Sequence, residues 1–157
     1  MTIPAEAAER RHWMSVLARA SVFDIERHLA ACPKLPEHVR LRGPETGLVM
    51  TRGRAGGGGA AFNLGEITVT RCTVRNPGGQ VGHAYIAGRD ARRAEIAACV
   101  DAGMQDPTLR EALRRGVIEP LAAAQAATRQ DNARRAAATR VQFFTMATMR
   151  GDDRANT

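Results

Sequence analysis

The chain has 157 residues, of which 44% are hydrophobic and only 4% aromatic, and its formal net charge is +7. This length fits one domain with a core built mainly of aliphatic side chains. No apolar run reaches the roughly 18 residues that a membrane-spanning helix needs. The three cysteines (Cys32, Cys72 and Cys99) form neither a CxxC motif nor an even disulfide set. We therefore expect a protein of the reducing cytoplasm.

The positive charge raises the question of nucleic-acid binding. All of the 23 basic residues except Lys34 are arginine, and they are spread along the whole chain. A nucleic-acid module usually concentrates its basic residues on one face and adds aromatic side chains for stacking. A basic anion- or nucleic-acid-binding module is therefore only the alternative interpretation.

The first third of the chain predicts two helices. Apolar residues recur at spacings of three and four in an amphipathic helix from Ala5 to Ala20; these are Trp13, Val16, Leu17 and Ala20. Ser21 followed by Asp24 resembles a capping box that starts a second helix. Pro33 and Pro36 end it, because proline cannot continue the hydrogen-bond ladder.

From His38 the periodicity changes to two residues, which is typical of strands. His38 to Arg42 predicts a short strand, Gly43-Pro44 a turn, and Gly47 to Arg54 a second strand. The Gly56–Gly59 loop follows, and another strand begins near Ala61. The loop lacks the Lys and Ser or Thr of a phosphate-binding loop and does not lead into a helix. It is predicted to be a mobile hairpin tip, with ordering against a partner as the alternative.

The segment from Phe62 to Asp90 predicts a strand pair. Its first strand is rich in β-branched residues, Asn76–Gly79 forms a tight turn, and Val81–Ala87 returns as the partner strand. The apolar residues change parity near Arg71, which predicts either a bulge there or a sheet covered on both faces. The strands together predict an antiparallel meander.

The last part of the chain predicts helices again. Asp90 caps a helix that runs to about Gln105. A short helix starts at Pro107 and ends at Gly116. Glu119-Pro120 opens a long helix that reaches Phe144 or Met149, which makes the fold α+β: N-terminal helices, an antiparallel β-meander, and helices ending in a long C-terminal helix.

The long helix has a polar middle and an apolar end. Its end contains Val141, Phe143, Phe144, Met146 and Met149. Such a helix is typical of a docking arm, although folding back into the core is an equally good interpretation. We predict one domain over residues 1–149 and a disordered tail over residues 150–157.

Residues with catalytic chemistry are scattered. The sequence shows no Ser–His–Asp order, paired carboxylates, HExxH motif or Cys–His cluster. His83 beside Tyr85 is the best single titratable candidate. Arg71, Arg75 and Arg89 fit either an anion site or a salt-bridged sheet surface. The prediction is therefore that the chain supplies no catalytic residue, no metal site and no cofactor site.

Five segments together resemble the PhnG family, in order over nearly the whole chain. They are RHWMSVLA (residues 11–18), ETGLVM (45–50), FNLGEITVTRCTVR (62–75), GHAYIAGRD (82–90) and RVQFFTMATMRGDD (140–153). One departure is Gly58, where the family is expected to carry Thr.

The resemblance implies a role in phosphonate catabolism. PhnG proteins join PhnH, PhnI and PhnJ in the core complex of the carbon–phosphorus lyase system. With PhnI and the accessory protein PhnL, they support formation of ribose 1-methylphosphonate 5-triphosphate from ATP and methylphosphonate. The nucleosidase chemistry belongs to PhnI, and the radical cleavage belongs to PhnJ, an iron–sulfur protein. The family supplies no catalytic residue that maps onto this chain.

The resulting hypothesis is a supporting subunit of a transferase and lyase complex. The hairpin and the final helix are expected to bury surface against PhnI or a second copy of the chain. The candidate interface residues are Arg71, Arg75, Phe143, Phe144 and Met146.

Overall fold

The computed structural model describes residues 5–54 and 59–139. Its elements are α1 (Ala5–Leu17), α2 (Val22–Leu29), β1 (Val39–Gly53), β2 (Phe62–Arg75), β3 (Val81–Ala87), α3 (Ala91–Met104), α4 (Pro107–Leu113), a π-helical turn (Arg114–Ile118) and α5 (Glu119–Ala138). This order confirms the predicted α+β fold with a long C-terminal helix.

The chain divides into two compact units, Met1–Gln125 and Ala126–Thr157. The single domain over residues 1–149 and the tail over residues 150–157 stay predictions, because residues 140–157 lie outside the described part of the chain.

The three strands form an antiparallel sheet in the order β1-β2-β3, which confirms the predicted meander. β1 is 15 residues long and lies at one edge. The pairing of β2 with β3 ends at Val69↔Ala87, whereas β1 and β2 stay paired as far as Gly53↔Phe62. Residues 48–53 and 62–68 therefore form a two-stranded extension, which we call the ribbon.

The pairing of β1 with β2 is irregular at three points, one in the ribbon between Thr51 and Arg52 and two near the start of β1. The register shifts between Arg40 and Arg42 and again between Arg42 and Glu45. The predicted turn at Gly43-Pro44 is therefore wrong: these residues belong to one continuous strand, and an edge strand tolerates the missing proline N–H. The bulge expected near Arg71 lies opposite that residue in β1, whereas β2 keeps an unbroken register with β3.

Helix α3 packs on one face of the sheet and encloses the core of the first unit. The sheet contributes Cys72, Val74, Ala84 and Ile86, and α3 contributes Ala94, Ala97, Ala98, Val100, Ala102 and Met104. The residues predicted to form the apolar face of α1 (Trp13, Val16, Leu17 and Ala20) are all buried in the same core. Small side chains on α3 let the helix lie close to the strands, and a Cβ added at Gly82 would collide with the backbone of Ala98 and Ala102.

A buried carboxylate joins α1, α3 and β3. Asp101 is 0% exposed, and its Oδ1 accepts a hydrogen bond of 2.8 Å from Trp13 Nε1. Its Oδ2 accepts bonds from the backbone N–H of His83 at 2.8 Å and from Arg10 Nη2 at 2.7 Å. The bonds to Trp13 and His83 are made away from water, so their loss would leave buried donors without partners.

The predicted helix starts agree with the structure, and one predicted helix end does not. Ser21 Oγ accepts from Asp24 N, and Asp90 Oδ1 accepts from Arg93 N. Gly116 was expected to end a helix, but the chain continues through the π-helical turn into α5. A Cβ at Gly116 would collide with Cys32 Sγ. This glycine therefore serves close packing rather than helix termination.

The start of helix α5 is anchored in the first unit. Leu121 is buried, and Gln125 Nε2 donates to the carbonyl oxygen of Val16 at 2.9 Å. Every residue from Ala126 to Thr139 is exposed. The polar middle of the predicted long helix thus carries no buried side chain in the described residues.

Replacing Asp101 with Asn should destabilise the fold. The amide presents an NH₂ group to a site built for three donor groups, so the free energy of unfolding should fall by about 3 kcal/mol. Asp131→Asn is the matched control, because Asp131 is an exposed partner of Arg134 on α5; it should change stability by less than about 0.5 kcal/mol. Denaturant unfolding of both variants measures these two changes in the free energy of unfolding. Equal midpoints would contradict the structural role of Asp101.

Gly82→Ala should also destabilise the protein, by at least about 2 kcal/mol, because the new methyl group overlaps the backbone of α3. Gly47→Ala is the control, since nothing lies within 4 Å of a Cβ at that position. Thermal melts should separate the two variants clearly. A Gly82→Ala melting temperature equal to that of Gly47→Ala would refute the close approach.

Candidate protein-interaction surface

The two predicted arginines on β2 have different surroundings. Arg71 Nε lies 2.5 Å from Glu45 Oε1, which also pairs with Arg42 at 2.5 Å. Arg71 thus belongs to a salt-bridged sheet surface. Arg75 forms no ion pair with any described residue; it lines a cleft of about 580 Å³ beside His38 and the Asn76–Gly79 turn. Both arginines are exposed.

The other predicted candidates divide into exposed and undescribed residues. His83 is exposed, and its Nδ1 lies 3.1 Å from Thr73 Oγ1. Arg89 is exposed as well. The interface candidates Phe143, Phe144 and Met146 lie outside the described residues, so they stay predictions.

The three thiols have environments that favour the protonated form. Burial raises the pKa of Cys99 to about 12 and also raises the pKa of Cys72 and of Cys32. A thiol with a raised pKa carries little thiolate at neutral pH and is a weak nucleophile. Among residues 5–54 and 59–139, no three His, Cys, Asp or Glu side chains are grouped so as to hold a metal ion. In the same residues, no helix is long and apolar enough to cross a membrane.

A cluster of charged residues fastens the start of β1 to α3. Glu95 accepts from Arg40 Nε at 2.6 Å and Nη2 at 2.8 Å, and His38 Nε2 lies 2.9 Å from the same carboxylate. The bonds from Arg40, with a smaller contribution from His38, lower the pKa of Glu95. More than 50 residues separate the partners along the chain, so the sequence offers no local signal for the cluster.

The ribbon carries the largest group of exposed apolar side chains among the described residues. Five of them are between 43% and 62% exposed: Leu48, Met50, Phe62, Leu64 and Ile67. A patch of this kind on a folded domain usually marks a binding surface. The sequence did predict that the hairpin forms an interface, but the interface residues it singled out in this hairpin were the neighbouring arginines.

Both faces of the ribbon are apolar. Leu48 and Met50 oppose Thr68 and Glu66 on β2, so they lie on the face that carries the helices further along the sheet. Val49 opposes Ile67 on the other face. Two strands alone are marginally stable in water, and a third strand or a covering element normally completes them. The ribbon therefore has the construction of a binding element.

Together, the fold and this surface define the chain as a small α+β protein with an apolar ribbon suited to protein binding. The family model described as phosphonate metabolism protein PhnG matches residues 8–151. A relative from Rhizobium meliloti (strain 1021), named alpha-D-ribose 1-methylphosphonate 5-triphosphate synthase subunit PhnG, is 46% identical over 149 residues, which cover 95% of this chain and 94% of the relative. The chain belongs to the PhnG family, as the sequence motifs predicted.

The lowered pKa of Glu95 gives a pH-dependent prediction. Its carboxylate stabilises the fold above its ordinary pKa of 4.5, and that contribution is lost as the pH falls through the lowered value. Glu95→Gln should therefore lower the free energy of unfolding at neutral pH by about 1–2 kcal/mol. The difference from the unmodified protein should shrink in acid. Exposed Glu66→Gln is the control. A Glu95→Gln effect that is independent of pH would contradict the ion-pair account.

Proposed function

We propose that this chain acts in the cytoplasm as a supporting subunit of the complex that forms alpha-D-ribose 1-methylphosphonate 5-triphosphate during phosphonate breakdown. The relative named for that synthase supports the assignment. The observation that carries the binding role is the ribbon, because five large apolar side chains stand half exposed on two strands that extend past β3. The role of the ribbon is to bind other subunits.

The partners proposed for this chain are PhnI, PhnH and PhnJ, with the accessory protein PhnL. In this arrangement the partners carry out the nucleoside and carbon–phosphorus chemistry, as the family resemblance implies. The described thiols fit a supporting role, since burial holds each of them in the protonated form. Arg71, already paired with Glu45, is placed to stabilise the sheet surface next to the ribbon.

The free energies of side-chain burial and of association indicate that the ribbon does not hold the complex together alone. Full burial of a large apolar side chain stabilises by about 1.5–3 kcal/mol, so five half-exposed side chains contribute about 5 kcal/mol in all. Association costs at least about 4 kcal/mol in lost translational and rotational freedom. The ribbon by itself would then give a weak complex. A second contact is needed for a stable one.

We place that second contact in the apolar segment that follows α5. Helix residues 126–138 are exposed and polar, and Phe143, Phe144 and Met146 follow them along the chain. In the proposal, the exposed helix presents this segment to a partner subunit. Arg75, which has no ion-pair partner among the described residues, is a candidate for a polar contact near the base of the sheet.

Co-purification of the tagged chain with PhnI tests both contacts. Phe62→Asp with Leu64→Asp should reduce the PhnI recovered by at least tenfold, because it charges the ribbon. Phe143→Asp with Phe144→Asp should have an effect of similar size. Phe62 and Leu64 are 49% and 60% exposed, so circular dichroism and melting temperature of the ribbon variant should stay close to those of the unmodified chain. The same two measurements on the Phe143 and Phe144 variant separate loss of a partner contact from loss of folding.

Phe23→Asp is the matched control, since Phe23 is 67% exposed on α2, outside both contacts. It should leave PhnI recovery unchanged. Undiminished recovery with the ribbon variant would refute the ribbon as a partner site. Undiminished recovery with the Phe143 and Phe144 variant would refute the second contact.

A further inference from the structure

Among the described residues no strand pairs with the outer edge of β1, and charges, proline or register shifts protect this edge only toward its two ends. Soluble proteins shield exposed strand edges with charges, proline or bulges, because unpaired backbone groups recruit other strands. The first half of β1 has all three: Arg40 and Arg42, Pro44, and two register shifts. The shielding ends at Glu45.

The stretch from Thr46 to Thr51 has none of these devices, which return beyond it with Arg52 and with a register shift between Thr51 and Arg52. From Glu45 to Thr51 the strand pairs with β2 in a regular register. The six residues Thr46–Thr51 read TGLVMT and contain no charge and no proline. Leu48 and Met50, which alternate along this stretch, are 62% and 48% exposed. This is a regular, uncharged and apolar strand edge.

From this edge we propose that β1 pairs with β1 of a second copy of the chain. The two strands run antiparallel about a twofold axis that passes through Val49, so that the two ribbons join into one four-stranded sheet in the order β2-β1-β1-β2. This goes beyond the proposed subunit role, because it assigns a like partner to the edge and leaves the faces of the ribbon to other subunits.

Symmetry restricts the possible register. A twofold axis perpendicular to the sheet keeps side chains of one face of a strand on the same face of the joined sheet. Because successive side chains alternate between the two faces, the sequence numbers of two opposed residues must differ by an even number. An axis through Val49 opposes Val49 to its own copy and Leu48 to Met50 of the other copy. Thr51 then opposes Gly47. Each large apolar residue of this stretch therefore meets another apolar residue.

The charges that border the stretch also fit this pairing. Arg52 of one copy would oppose Thr46 of the other, and Glu45 would oppose Gly53. No charged residue meets a like charge, which would be destabilising in a cross-strand pair. Pairing also gives each two-stranded ribbon the additional strands that independent stability requires. The sequence is thus compatible with itself across the axis, which singles out a second copy as the occupant.

The proposed contact between the two β1 strands is short. Interfaces under about 1,200 Å² are typical of weak and transient complexes. The dimer should therefore be concentration dependent in the isolated chain. Sedimentation equilibrium should show a mass that rises with concentration from 16.9 kDa toward twice that value. Leu48→Lys, which adds a charge to the edge, should shift the dissociation constant upward by at least tenfold. Phe23→Asp should not shift it.

A cysteine at position 49 tests the register directly. Opposed residues in antiparallel strands have Cα separations of about 4.5–5.5 Å, within the range of a disulfide. Val49→Cys should form a covalent dimer under mild oxidation. His83→Cys, at an exposed position of β3, should form at least tenfold less covalent dimer. Crosslinking of Val49→Cys no faster than His83→Cys would overturn the register.

A chain that stays monomeric at all accessible concentrations would overturn the pairing itself. A monomeric chain whose Val49→Cys variant crosslinks to a cysteine of PhnI would assign the edge to that subunit. It would equally refute pairing of β1 with a second copy. Neither result counts against co-purification with PhnI, which is tested separately by charging Phe62 and Leu64 on β2. Failure of this inference is therefore distinguishable from failure of the proposed function.

Discussion

The buried carboxylate of Asp101 is the interaction on which the first unit depends. It lies on α3 and accepts hydrogen bonds from α1 through Arg10 and Trp13 and from β3 through the backbone N–H of His83. Helix α1, which is distant in sequence, is thereby fixed to the consecutive elements β3 and α3 at a single point. The close packing of α3 on the sheet at Gly82 depends on the same alignment, since it leaves no room for a side chain between strand and helix.

This rigid core explains why the ribbon is exposed. Helix α3 covers β3 and the adjoining part of β2, whereas the pairing of β1 with β2 continues beyond Ala87, where β3 ends. The buried residues of β2 lie in the covered part, from Val69 to Val74, and Phe62, Leu64 and Ile67 lie in the extension. The same strand thus supplies core residues at one end and, at the other, the exposed apolar side chains proposed to bind other subunits.

Local signals in the sequence predicted the elements well, and long-range contacts account for what was missed. Ser21, Asp90 and Pro107 mark helix starts through chemistry within four residues, and the Asn76–Gly79 turn is equally local. Gly43-Pro44 and Gly116 were misinterpreted as breaks. Their conformations are set by β2 and by Cys32, which lie far away along the chain. The side-chain partners of Asp101 and Glu95 lie 55 to 91 residues away along the chain, so these networks had no local sequence signal. The strand pair of the hairpin was predicted correctly, but the exposure of its apolar residues depends on where β3 ends.

In the proposed complex, other subunits bury the ribbon. Hydrogen–deuterium exchange of the chain, free and within the complex with PhnI, measures this burial directly. Amides of residues 48–53 and 62–68 should exchange at least tenfold more slowly in the complex, because burial stabilises strands that are marginal alone. Amides of α3, already protected by the core, should change little. Unchanged exchange across the ribbon, with new protection confined to other parts of the chain, would contradict the account.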